Sequence, residues 1–202
     1  MVFRAVGNRC AVKLQSLGLP VSGEEALHIL HEAGFEPLVV DLVELGQALI
    51  GSEYRRGARP SEAPSVFDCS SFIKYLYGQR GVWLPRRSVQ QRQYGDPVEL
   101  DELRGGDLVF CSGRIDYFYE DTNDGVGHVG MATGEGTVLH AANKRCGVIE
   151  VETSAFLGKS SDFRGARRII PSDTCVLTMR TPLGREVETS DDMRWIVLQN
   201  LP

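Results

Sequence analysis

The 202-residue chain has no apolar run of membrane-spanning length, no internal repeat and no low-complexity tract. These absences argue against a transmembrane helix, a solenoid or a linker-dominated protein. There is no basic excess: 22 Lys and Arg against 27 Asp and Glu give a net charge of −5. That balance argues against nucleic acid or an anionic membrane surface as partner. Cysteine is sparse and irregularly placed. The five residues, at 10, 69, 111, 146 and 175, contain no Cys-x-x-Cys pair. Neither a zinc site nor a disulfide framework is expected, and the odd number leaves at least one thiol unpaired within the chain. The first ten residues, Met-Val-Phe-Arg-Ala-Val-Gly-Asn-Arg-Cys, lack an apolar core followed by a small-residue cleavage site. They do not read as a signal peptide, which leaves a cytoplasmic protein or an exported one whose signal has been removed.

What the chain does contain is ordinary for a globular domain, with 42% hydrophobic and 24% charged residues. Residues 1–20 hold one or two short strand-like runs. Ser22-Gly-Glu-Glu25 is a capping-box pattern opening a helix that Gly34 closes. His28 and His31 share a face of that helix, but no neighbouring carboxylate or third histidine completes a metal set, so they read as surface residues. Asp41 can cap a helix through Leu42, Leu45, Leu49 and Ile50, and 52–66 is a loop rich in arginine and proline. Phe72, Ile73, Leu76 and Tyr77 recur at helical spacing and end before Gly81; a further helix is expected from Leu84-Pro-Arg-Arg-Ser88 to Gly95.

From Gly106 the period changes. The runs 107–111, 128–132, 138–142, 148–151 and 166–170 are short and β-prone, with Gly, Asn and Asp turns between them. Helices first and strands second predict an α+β domain with an antiparallel sheet. The connection 113–127 is long, acidic and aromatic, and is expected to wall a cleft. In the tail, 175–179 and 195–198 are β-prone and predict an edge hairpin.

Cys69 follows Phe67-Asp68 and precedes Ser70-Ser71, which puts it in the first turn of the helix that Gly81 ends. Free N–H groups and the positive end of the helix dipole at that position stabilise a thiolate. A small buried residue opening a core helix fits the same pattern. Thiol hydrolysis needs a base and a group that orients it. His128 opens one expected strand, after Gly125-Val-Gly127, and His140 sits on the next, across the Thr133–Gly136 turn. Pairing about the centre of that turn sets 128 opposite about 141, with His140 beside His128. Each histidine could equally be a strand residue whose ring is satisfied elsewhere.

Six segments occur in one order: Phe67-Asp-Cys-Ser-Ser-Phe72, Leu84-Pro-Arg-Arg-Ser88, Leu103-Arg-Gly-Gly-Asp-Leu-Val-Phe110, Gly127-His-Val-Gly-Met131, Val138-Leu-His-Ala141 and Gly165-Ala-Arg-Arg-Ile169. In order and spacing, from about Tyr54 to Ile170, the chain resembles the NlpC-type family of papain-like cysteine peptidases, bacterial cell-wall endopeptidases. The resemblance implies a nucleophile at Cys69, a general base at His128 and an orienting histidine at His140. It further implies that Tyr54 lines the cleft near the oxyanion, and that Asp68 meets the free amino end of a short peptide. Asp68 also reads as an N-cap, and Ser71 as a capping residue. No cofactor is implied. The implied partner is a peptidoglycan fragment or muropeptide, cut after D-glutamate through a thioester.

The chain departs from the family after Tyr54, where Arg-Arg-Gly-Ala-Arg replaces a glycine-rich stretch, and at Ser71, where the family has glycine. Arg55, Arg56 and Arg59 either rim the cleft or solvate a loop. Residues 1–50 match no wall-binding module. The expected layout is therefore a helical extension at 1–50, a catalytic domain at 51–171 and a β-hairpin extension at 172–202. Its core is a papain-like nucleophile helix packed on a central antiparallel sheet. The rival functions are an amidase or acyltransferase using the same triad, and a non-catalytic binding module of the same fold.

Overall fold

The computed structural model describes residues 2–113, 125–158, 162–171 and 175–201. In chain order, β1 (Arg9–Val12), α1 (Gly23–Glu32) and β2 (Glu36–Leu38) come first. There follow α2 (Leu42–Gln47), β3 (Glu53–Tyr54), β4 (Val66–Phe67), α3 (Cys69–Gln79) and α4 (Ser88–Gln91). Then come β5 (Asp96–Val98), β6 (Leu108–Cys111), β7 (His128–Ala132), β8 (Thr137–Asn143) and β9 (Gly147–Glu152). The chain ends with α5 (Thr153–Leu157), β10 (Phe163–Arg168), β11 (Leu177–Arg180) and α6 (Ser190–Gln199). It divides into two compact units, one of Met1–Asp41, Tyr77–Trp83 and Ser172–Pro202, the other of Leu42–Leu76 and Leu84–Pro171.

The first unit is built on a three-stranded antiparallel sheet in the order β1-β11-β2. Ser22 caps α1, its hydroxyl accepting from Glu25 N at 3.1 Å, and Gly34, at φ +88°, turns the chain away after it. Pro37 lies on β2, an edge strand, where its missing N–H costs the sheet no bond. The expected tail hairpin is not found. β11 is the central strand of this sheet, and the second run, 195–198, lies inside α6. The helix wins there because Asp192 accepts from the N–H groups of Glu188 and Thr189 at 2.8 and 2.9 Å. Met193, Ile196 and Val197 then recur at helical spacing toward the core, with Trp195 outside. The N-terminal 50 residues are likewise not a helical extension. They carry two strands of this sheet, and α2 belongs to the second unit.

The second unit carries a six-stranded antiparallel sheet in the order β5-β10-β6-β7-β8-β9, and a short parallel pair, β3-β4. Gly46 of α2 approaches Leu139, Met131 and Leu76 so closely that a Cβ there would lie 3.0 to 3.5 Å from their side chains. α2 and α3 therefore cover the Met131–Leu139 face. Phe156 of α5 packs with Val109, Cys111, Ala132 and Val138 on the other. Buried Asp107 takes both arms of Arg168, at 2.9 and 2.6 Å, and ties the 103–110 and 165–169 segments together. The helix expected from Leu84 begins only at Ser88, because Pro85 and the extended Arg87 hold the preceding residues out of helical geometry. Of the connection 113–127, residues 114–124 lie outside those described, and with them the expectation that it walls a cleft.

Candidate active site

Cys69 is the first residue of α3, half-buried. Asp68 caps the helix. Its Oδ1 accepts from Ser71 N at 2.8 Å, while Ser71 Oγ accepts from Asp68 N at 2.8 Å, a reciprocal arrangement that fixes the first turn. The main-chain N–H groups of Val129 and Ser70 donate to the Cys69 sulfur. Val129 immediately follows His128, so this contact sets the thiol against the start of β7.

The β7–β8 ladder pairs Met131 with Leu139 and Ala132 with Val138. The register is one residue from that expected, and the difference has a consequence. Ala132 stands opposite Val138, and 128 and 140 lie an even number of positions from them, so His140 falls on the same face as His128. His128 Nε2 lies 2.7 Å from His140 Nδ1, which leaves Nδ1 of His128 for the thiol. Gly127 makes room beside His128, since a Cβ there would stand 2.3 Å from the Gly113 backbone.

Burial dominates the electrostatics. It pushes the Cys69 thiol up to about 11, with Asp68 adding to the rise and the Val129 and Ser70 N–H groups and Arg86 opposing it. It drives His128 down to about 4 against an upward pull from Asp68, and His140 to about 3, aided by His128. At neutral pH the resting site holds a thiol and two neutral imidazoles.

Asp68 is buried, and both its oxygens are occupied. Arg86 donates to them at 2.9 and 2.5 Å, Gly57 N donates at 2.9 Å, and Arg86 also reaches Ser70 Oγ and Ala58 O at 2.9 Å each. Burial raises the carboxyl, but the Arg86 and Ser71 hydrogen bonds outweigh it and hold Asp68 below its usual range. The same contacts pin the 55–59 loop over the helix start. Tyr54 pairs with Phe67 in the β3–β4 ladder, next to Asp68. Burial and the neighbouring Cys69 and Asp68 raise its phenol, against a downward pull from Arg56. Arg55 is paired with Glu62. His28 and His31 are exposed on α1, and no group of three or more His, Cys, Asp or Glu residues suited to a metal is found among the described residues.

Three contributors were not picked out from the sequence. Arg86 holds Asp68. Gln91, fully buried on α4, donates to Ser70 O and Pro85 O at 2.9 Å each. Phe156 packs on both histidines. The Leu-Pro-Arg-Arg wording could have drawn attention to Arg86. For Phe156 the only signal was an apolar residue in a segment given no element.

The motifs thus converge on one half-buried thiol and one histidine pair. The model of the NlpC/P60 family matches residues 51–163, more than half of the chain. The chain belongs to the NlpC/P60 family. It is 38% identical over 102 residues to a probable endopeptidase of Corynebacterium glutamicum, covering 50% of this chain and 42% of that protein. It is 28% identical over 137 residues to a gamma-D-glutamyl-L-lysine dipeptidyl-peptidase of Bacillus cereus, covering 67% of this chain and 38% of that one. The NlpC/p60 domain of the peptidoglycan hydrolase SagA superposes with a TM-score of 0.51 at 29% identity, over 63% of this chain and 96% of that domain. The NlpC/P60 fold is therefore the α+β fold seen here, and the chain spans about two fifths of the length of these two curated relatives.

Proposed function

We propose that this chain is a cysteine endopeptidase that hydrolyses an amide bond in peptidoglycan stem peptides, between D-glutamate and the diamino acid that follows. The observation that carries the reading is the arrangement at the site. A thiol at a helix start is held against β7 by the Val129 N–H, and the adjacent His128 has its far nitrogen 2.7 Å from His140. The choice of bond is supported by the relative named for gamma-D-glutamyl-L-lysine cleavage.

With thiol and imidazole both neutral at rest, the proton moves as the bond forms. Cys69 Sγ attacks the scissile carbonyl carbon while its proton passes to His128 Nδ1, and the His128 Nε2–H donates to His140 Nδ1. Proton transfer charges sulfur and ring with opposite signs, and their attraction offsets the cost of charging either one alone in a buried site. The Cys69 N–H, at the positive end of α3, donates to the oxyanion. Collapse of the tetrahedral intermediate breaks the C–N bond, the leaving amine takes the proton from His128, and a thioester remains. Water then attacks the thioester with His128 as base, releasing the acid and restoring the thiol. Tyr54 lines the cleft beside the sulfur. Asp68, clamped by Arg86, positions the nucleophile and meets the amino end of the substrate only through whatever capacity those contacts leave.

The test is a digest of defined tri- and tetrapeptide stems, with and without a free amino end, read by mass spectrometry. The wild type is expected to cut after D-glutamate, and Cys69→Ala to cut nothing while unfolding at the same temperature as wild type. Equal cleavage by Cys69→Ala, or stems left whole by the wild type, removes the reading.

A further inference from the structure

The short helix α5 brings one side chain to the histidines. The ring of Phe156, buried, lies 5.5 Å from that of His128 at 31° and 4.9 Å from that of His140 at 89°, and the two imidazoles are 5.0 Å apart. Gly130 on β7 makes this possible. A Cβ there would meet Phe156 Cε2 at 3.0 Å and Val138 Cγ1 at 2.4 Å, so a side chain at 130 would displace the ring. His140 Nε2 is buried and has no hydrogen-bond partner among the described residues.

The tautomers then follow. If His128 is to accept the Cys69 proton at Nδ1, its own proton sits on Nε2 and is given to His140 Nδ1. The His140 proton therefore sits on Nε2, the buried nitrogen without a partner among the described residues. Water reaching the pair would lower the cost of protonating either ring. We propose that Phe156 is a positioning residue for the base: it closes the His128–His140 pair off from water and keeps both rings neutral, the state in which His128 can take a proton from Cys69. The proposal rests on the reading of His128 as that base.

Among the described residues few ionisable groups face the pair. Asp68 comes from the start of α3, where Cys69 follows it, and Cys111 lies across from His128 on β6. Ile149 is opposite His140 on β9, and α5 itself, Thr-Ser-Ala-Phe-Leu, has no titratable side chain. Apolar cover from Phe156 is thus a chief source of the burial that keeps both rings neutral.

The experiment is an NMR titration of the imidazole Cε1 protons in full-length chain carrying Cys69→Ala, alone and with Phe156→Leu or Phe156→Val. The chain has four histidines, and His28 and His31 lie exposed on α1. His128 is expected to titrate near 4 with Phe156 in place. Phe156→Leu, which keeps apolar cover, should stay within about half a unit, whereas Phe156→Val should rise by about one unit or more toward the ordinary value. In chains with Cys69 restored, the acid limb of kcat/KM should move in parallel. Should the valine variant not fold, Phe156→Tyr carries the same comparison, since it keeps the ring and adds a polar group to the cover, with a rise expected in the same direction. An unmoved His128 titration, leucine and valine behaving alike, or a His128 that titrates near the ordinary value of 6.5 in the parent chain overturns the proposal. The titration needs no substrate, so it separates this inference from the peptidase reading, which stands or falls on the stem-peptide digest.

Discussion

At Cys69 two backbone N–H groups meet the sulfur, yet burial still lifts the thiol to about 11, and His128 sits near 4. Neither group carries its charge alone at neutral pH, so the rate depends on how well His128 is aimed to take the proton as the sulfur attacks. That separates the two histidines. Removing His128 removes the acceptor itself, a loss of about 10²- to 10⁴-fold in kcat. His140 only fixes a tautomer at 2.7 Å, and water can stand in for it, so His140→Ala is expected to lose less. Single-turnover rates on one stem peptide check the ranking, and an equal or larger loss for His140→Ala contradicts the division of roles. Cys69, His128 and His140 each lie in a local pattern, a helix start, a glycine-flanked strand start and the strand across a short turn, but those patterns left other readings open and the family resemblance is what grouped them. Arg86 and Phe156 were not legible, because what each does is defined by side chains 16 or more positions away. The engagement of both Asp68 oxygens is equally a product of folding, visible only once Arg86 and Gly57 arrive.

Elements were readable where a cap and a period agreed. Ser22 with the α1 pattern and Asp68 with the α3 pattern are of that kind, and so are the strands β6 to β9 with their glycine turns. Reading failed where β propensity competed with a cap, as in α6, whose Ile196-Val197 pair looks extended until Asp192 is seen to cap it. It also failed where an element was only a few residues long, as with α5 and β5, too short for a period to show, and it overran α4 at both ends. Sheet order was beyond it too, since β10 comes between β5 and β6 by long-range pairing. The β7–β8 register was missed by one, and that single position decides whether the histidines share a face. The start of β7 is held by a backbone crossing in which Gly127 touches Gly113. Gly127→Ala should push the strand off that crossing at about 1–3 kcal/mol and turn His128 away from the thiol. The expected result is a lower urea midpoint together with a loss of kcat exceeding ten-fold. Gly136→Ala has open space for its Cβ and only an unfavourable φ of +81°, so it should lower stability without that loss. Equal kcat values for the two variants would show that the crossing does not aim His128.

Across the whole molecule the displaced ionisable groups are unevenly shared between the two units, and this gives the chain a direction in which it fails. Asp68, His128 and His140 are in the second unit, and all three are held below their ordinary values. Between the usual imidazole value of 6.5 and the folded values of about 4 and 3, an unfolded chain takes up protons that the folded one refuses. Falling pH therefore favours unfolding, at up to about 1.4 kcal/mol per pH unit for each imidazole. Asp68 extends the loss below 3.8, where its unfolded carboxyl protonates and the folded one does not. The first unit holds instead the Cys10 thiol, pushed up to about 12 by burial and then by Asp192. Its sign is opposite: above pH 9.0 the unfolded thiol gives up a proton that the folded one keeps, so stability falls as pH rises, and Cys69 adds the same penalty in the second unit. Stability should thus be flat between about 6.5 and 9.0 and decline on both sides. Amide exchange on the intact chain at pH 7, 5 and 4 tests the acid side, where β6 to β9 should lose protection before β1, β11 and α6 do. Protection lost first from β1, β11 and α6, or at the same pH in both units, would mean that groups other than the two imidazoles and Asp68 govern acid unfolding.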